Sequence, residues 1–102
     1  MNLKYDELLN LFLDAQVAEY GAAENTILAY KRDLSIYFLW LKKNRSTIVT
    51  SNQVSIENYI IECAGFGLAA STRARKLSAI KKLYSFCYDE KLIDINPALN
   101  IK

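Results

Sequence analysis

The chain has 102 residues, of which 52% are hydrophobic and 24% charged, with a formal net charge of +2; that is one globular domain, too ordered in composition for a disordered chain and too short for two domains. It contains no histidine, three glycines, one proline and two cysteines, which removes the commonest general base and metal ligand, any Ser-His or Cys-His nucleophile pair, a Gly-rich phosphate loop and the turn-dense all-β folds. Cys63 and Cys87 are too few for a disulfide framework and too far apart for a CxxC pair, so no metal or cofactor is expected, and a reducing, cytoplasmic setting fits. No signal peptide is evident and no run approaches the roughly 18 apolar residues of a membrane span, which predicts a soluble protein with no membrane partner.

The punctuation predicts four helices. The first runs from about Tyr5 to Tyr20, with Leu8, Leu9, Phe12, Leu13 and Val17 at helical spacing and Gly21 to end it. The second begins near Glu24 to Thr26 and continues to about Lys43; Ile27, Tyr30, Leu34, Tyr37, Phe38 and Leu41 share one face, and Asn44 is placed to cap it in the left-handed conformation. Leu28, Ile36, Leu39 and Trp40 leave few polar positions on its far half, which predicts that this end is sandwiched between other helices. The third opens on Thr50 as N-cap, with Gln53 completing a capping box and Val49 and Val54 a hydrophobic staple; Ile56, Tyr59, Ile60 and Cys63 form its stripe, and Gly65 and Gly67 stop it. The fourth begins after Ser71 or Thr72 as cap and reaches about Lys91, with Leu77, Ile80, Leu83, Tyr84, Cys87 and Tyr88 inward. Asn96-Pro97 then breaks the chain. The expected architecture is all-α, a compact orthogonal bundle of four helices with room for a short fifth turn. Its domain spans residues 1–97, and 98–102 read as the start of a linker.

Charge is segregated along this frame. Residues 1–24 carry a net −4, residues 25–45 a net +4, residues 46–70 a net −2, and residues 71–82 a net +5 with no acid among them. Two basic segments in an otherwise acidic chain point to an anionic partner. At 100° per residue, Arg75, Ser78, Lys82 and Ser85 form a ridge opposite the apolar stripe of the fourth helix, flanked by the small residues Ala74 and Ala79. Such a row of guanidinium, ammonium and hydroxyl groups suits phosphates and base edges in a DNA major groove, and Ser71 and Thr72 add hydroxyls and free backbone N–H groups at the helix start. Asn25, Ala29 and Arg32 offer a second such surface on the second helix. The plain alternative is a solvated charged face, against which stands the absence of any acid from Ser71 to Lys82. The seven tyrosines are expected to be half-buried with their hydroxyls at the edge, Trp40 to be a core or boundary residue, and both cysteines to be buried and inert.

Two runs carry a resemblance. Glu24-Asn25-Thr26 with Ala29-Tyr30-Lys31-Arg32-Asp33-Leu34, and Arg75-Lys76-Leu77-Ser78-Ala79-Ile80-Lys81-Lys82-Leu83-Tyr84, resemble the N-terminal core-binding, SAM-like domain of tyrosine recombinases, the family of phage integrases and Xer-type recombinases. The resemblance covers about Leu8 to Lys102. It implies one half of a clamp around double-stranded DNA at a recombination half-site, with the second and fourth helices against the major groove, acting in DNA recombination and integration. On that basis Asn25, Thr26, Arg32, Ser71, Thr72, Arg75, Ser78 and Lys82 are the expected DNA contacts, with Lys76 and Lys81 as further phosphate contacts. It also implies that catalysis belongs to a separate C-terminal domain outside these residues, so the fragment is not itself an enzyme, and that other recombinase subunits are partners of the full-length protein. The fragment alone is expected to be a monomer. The alternative is a helical protein-interaction module using the apolar far end of the second helix and the acidic first helix.

Overall fold

The structure is a computed structural model that describes residues 3–102. Its elements, in chain order, are α1 (Tyr5–Tyr20), α2 (Glu24–Lys43), α3 (Gln53–Gly65) and α4 (Ala70–Asp89), and there is no strand among the described residues. α1 ends because Gly21 takes the left-handed conformation, with φ 60°, and its N–H turns back to the Val17 carbonyl at 3.0 Å. α1 packs on α2, α2 on α4, and α3 on α4. The radius of gyration is 12.9 Å, close to the roughly 13 Å of a single compact domain of this length.

The core is built from the predicted stripes. Leu8, Phe12, Leu34, Leu41, Ile56, Ile80, Leu83 and Cys87 are wholly or almost wholly buried, and Cys63 joins them. At its centre the hydroxyls of Tyr37 on α2 and Tyr84 on α4 meet at 2.8 Å, both rings fully buried. The pair satisfies two polar groups that would otherwise lie unpaired in apolar surroundings. Tyr59 packs on Tyr37 and Trp40, with ring centroids 5.1 Å from each. These three tyrosines therefore lie deeper than the edge positions predicted for them, whereas Tyr20 and Tyr88 lie further out. Burial pushes the hydroxyls of Tyr37, Tyr59 and Tyr84 up from their ordinary titration range. Trp40 is a boundary residue whose indole N–H donates to Glu62 at 3.0 Å.

Several local expectations are corrected. Asn44 is not left-handed (φ −92°); Arg45 takes that conformation instead, with φ 55°. The N-cap of α3 is Asn52, not Thr50. Asn52 accepts from the Ser55 N–H at 2.9 Å, and Ser55 Oγ accepts from the Asn52 N–H at 3.0 Å, which completes a capping box two residues later than predicted. Thr50 is occupied in a turn with Thr47, the Thr47 N–H donating to its hydroxyl at 2.9 Å, and Val49 and Val54 are exposed, so no staple forms. α4 begins earlier than Ser71 or Thr72: Ala69 is its N-cap, and both hydroxyl residues sit inside the first turn. Val17 and Tyr88, predicted inward, are exposed, and Leu77 is half-buried.

The far half of α2 is not sandwiched. Leu28, Ile36 and Leu39 are exposed, because α1 and α4 cover only the Leu34, Tyr37, Phe38 and Leu41 side. After α4 the chain folds back onto the core through Ile93, Ala98 and Ile101, all buried. Among the described residues, no helix is long and apolar enough to cross a membrane.

Candidate nucleic-acid interface

The pairing of α2 with α4 sets one buried carboxylate between two basic helices. Asp33 falls three residues after Tyr30 and four before Tyr37, on the inward stripe of α2, and its side chain is 1% exposed. Lys76 falls four residues before Ile80 on the inward stripe of α4, and its side chain is 6% exposed. Arg75 closes on Asp33 side-on: Nε donates to Oδ2 at 2.8 Å and Nη2 to Oδ1 at 3.0 Å, while the Lys76 ammonium lies 3.5 Å from Oδ1. The Arg32 Nε is 3.8 Å from the same oxygen. Burial alone would raise the Asp33 pKa, but the hydrogen bonds from Arg75 and the charges of Lys76, Arg75 and Arg32 outweigh it and hold the carboxyl below its usual range. The same bond raises the Arg75 pKa.

Beside this cluster the N-terminal halves of the two helices leave a shallow groove lined by Asn25, Thr26, Ala29, Tyr30, Arg75 and Ser78. Four of the predicted contacts, Asn25, Thr26, Arg75 and Ser78, thus come together. Arg32 is exposed next to them on α2. Ser71 is exposed and Thr72 half-buried in the first turn of α4, where backbone N–H groups have no partner in the preceding turn. The groove wall contains no exposed carboxylate, and its floor includes Ala29, so a partner backbone can approach closely.

The rest of the basic segment is used differently. Lys76 is not a surface phosphate contact, since it is buried against Asp33. Lys81 is half-buried and donates to the Ile101 carbonyl, which ties the C-terminal segment to α4. Arg73 donates through Nη1 to the Leu68 carbonyl at 2.6 Å and secures the α3–α4 turn. Lys82 is exposed and makes no ion pair or hydrogen bond among the described residues. It lines a second cleft, shared with Lys81, Gln16, Glu19, Asp89 and Glu90, and this places it apart from the first groove.

Asp33, buried behind Arg75, is the residue of this site that the outward pattern of donors does not single out. Its signal was nevertheless in the sequence, since an acid and a base each stand on a core stripe, and two such residues are stable inside a bundle only when they meet.

The profile of the family described as "Phage integrase, N-terminal SAM-like domain" matches residues 9–91. Among curated proteins, the chain is similar to "Tyrosine recombinase XerD" of Haemophilus influenzae, 37% identical over 84 residues, which is 82% of this chain and 28% of that protein. It is 35% identical over 95 residues to the protein of that name from Rickettsia bellii, covering 93% of this chain and 31% of the relative, and 32% identical over 97 residues to that from Yersinia pestis, covering 95% and 32%. The chain therefore spans about a third of the length of these relatives. With the family match running from within α1 to the end of α4 and both motif-bearing runs inside it, the chain belongs to the phage integrase N-terminal SAM-like domain family and corresponds to that domain of XerD-type tyrosine recombinases.

Proposed function

We propose that this domain binds double-stranded DNA through the α2–α4 groove and serves as the N-terminal clamp of a tyrosine recombinase acting in site-specific recombination. The observation that carries the reading is the convergence of Asn25, Thr26, Arg75 and Ser78 on one acid-free groove, flanked by Arg32. Arg32, Arg75 and Lys82 supply mobile or half-exposed positive charge for phosphates. The hydroxyls and amide supply neutral donors and acceptors of the kind that contact base edges and phosphates. Other subunits of the recombinase are the second class of partner, and the domain works in the cytoplasm, where its DNA lies.

The test is a duplex titration of the wild-type chain and of an Arg75→Ala/Lys82→Ala variant at several salt concentrations. About four neutralised phosphates give a log–log salt slope of about −4, and the variant should lose about one unit of that slope, chiefly through Arg75. No binding at low salt, or binding indifferent to the variant, refutes the proposal.

A second reading is favoured by one observation: Leu28, Ile36 and Leu39 form an exposed apolar strip along α2. Such a strip suits contact with another protein. Chemical-shift changes centred on these three residues when DNA is added, with none in the groove, would favour it over the first.

A further inference from the structure

We infer that Asp33 is a positioning residue for sequence readout: by gripping Arg75 in a two-point contact, it converts a surface cation into a fixed donor fork presented to the groove formed with Asn25, Thr26 and Ser78. The inference rests on the DNA-binding reading above and deepens it.

Three features carry it. The first is how much of the fork remains. A guanidinium has five N–H donors; Asp33 takes one from Nε and one from Nη2, so three are left for a ligand. The Arg75 side chain is still 42% exposed and lines the groove wall, so those donors are within a partner's reach.

The second feature is the rigidity of the anchor. Asp33 sits on the core stripe of α2, its neighbour Leu34 is fully buried, and the buried Lys76 ammonium lies 3.5 Å away on the far helix. The carboxylate is thus fixed by two helices at once, and the Arg75 plane is fixed by the carboxylate. A free arginine must give up rotamer freedom when it binds; one already held has lost that freedom before the ligand arrives.

The third is the arithmetic of charge. If attraction to phosphate were the whole purpose of this corner, a carboxylate beside Arg75 would work against it. An anion that lowers the local positive potential yet fixes the plane of the guanidinium favours orientation over raw attraction. An oriented fork is what discriminates a base edge, above all the paired acceptors of guanine in the major groove.

The experiment uses the 102-residue chain and two duplex probes: those selected by the wild type from a randomised pool, and the unselected pool. Asp33→Asn with Lys76→Met removes the grip without leaving a buried lysine unpaired. Arg75→Lys keeps the charge at an exposed position but cannot form the fork, so the test stands even if the double variant does not fold. Circular dichroism establishes which variants are folded. The preference for selected over unselected duplex should fall about tenfold in each folded variant. Affinity for the unselected pool should fall much less than the preference does in Arg75→Lys, which keeps the charge but not the fork, and should not fall in the double variant, whose changes leave the net charge as it was.

A parallel loss of affinity for both probes would assign Asp33 a merely structural role and overturn the inference. So would a folded variant that keeps the wild-type preference, or a wild type that binds both probes equally. Failure of the wild type to bind any duplex is a separate result, and overturns the reading on which the inference rests.

Discussion

At the N-terminal end of α4, Arg75 opens onto a groove whose other walls are Asn25, Thr26, Ala29, Tyr30 and Ser78; two turns further on, Lys82 opens onto a cleft that also holds Glu19, Asp89 and Glu90. Both residues belong to one acid-free run, and both stand on the ridge opposite the apolar stripe. Their surroundings are nonetheless opposite, because α2 brings neutral polar groups to the first, whereas the second gathers Glu19 from α1 and Asp89 and Glu90 from the C-terminal end of α4 itself. Even the carboxylate that does touch Arg75 is buried and bonded, whereas those near Lys82 belong to exposed residues. The positive charge counted along a helix is therefore not the charge that a ligand meets. The neighbouring helix and the charges further along the same helix together decide which cations face outward without local competition.

The strongest way to break this contrast is to remove its buried anchor. Asp33→Asn alone leaves Lys76 charged and uncompensated inside the bundle, and should destabilise the fold by about 3 kcal/mol in urea denaturation. Adding Lys76→Met should recover most of that loss. The grip also has a pH signature. Because the folded pKa of Asp33 lies below that of the unfolded chain, its stabilisation is complete above about pH 5 and is lost as pH falls through the folded value. Denaturation midpoints measured from pH 6 down to pH 2 should fall less steeply in the double variant than in the wild type.

A smaller effect is expected where α2 and α4 meet at the centre of the core. Tyr37→Phe or Tyr84→Phe leaves one buried hydroxyl without its partner and should cost about 1–2 kcal/mol, whereas the double change removes both polar groups and should cost less than the sum. A double-mutant cycle checks this, and additive losses would mean that the two hydroxyls do not depend on each other. The smallest effect sharpens the contrast between the two ends of α4 itself. Arg75→Ala should weaken duplex binding about tenfold, while Lys82→Ala, in its acidic surroundings, should weaken it only about twofold. Equal losses in the two single variants would show that the nearby carboxylates do not screen Lys82.

Much of the fold was legible in the residues. The apolar stripes located α1, α2 and the core face of α4, since a period of 3.6 residues admits one inward side, and Gly21 ended α1 as its freedom at positive φ allows. The caps were less legible. Thr50-Gln53 matches the capping-box pattern, but Thr50 is engaged with Thr47, and the cap falls to Asn52, whose partner three residues on is a serine that the pattern does not single out. The outer half of α2 misled for a different reason: Leu28, Ile36 and Leu39 are apolar, but there is no fifth helix among the described residues to cover them.

The sequence by itself determined that the chain is helical and where its two basic segments lie. These are consequences of periodicity and composition, which act within one helix. Only the tertiary structure decided that Asp33 and Lys76, the latter expected at the surface, are buried and meet, that Arg75 joins them while still lining the groove with Asn25, Thr26 and Ser78, that Lys81 is committed to the Ile101 carbonyl, and that Lys82 lies among acids. Each of these depends on how one helix is rotated and placed against another. Packing of the whole core fixes that relation, and no local pattern encodes it.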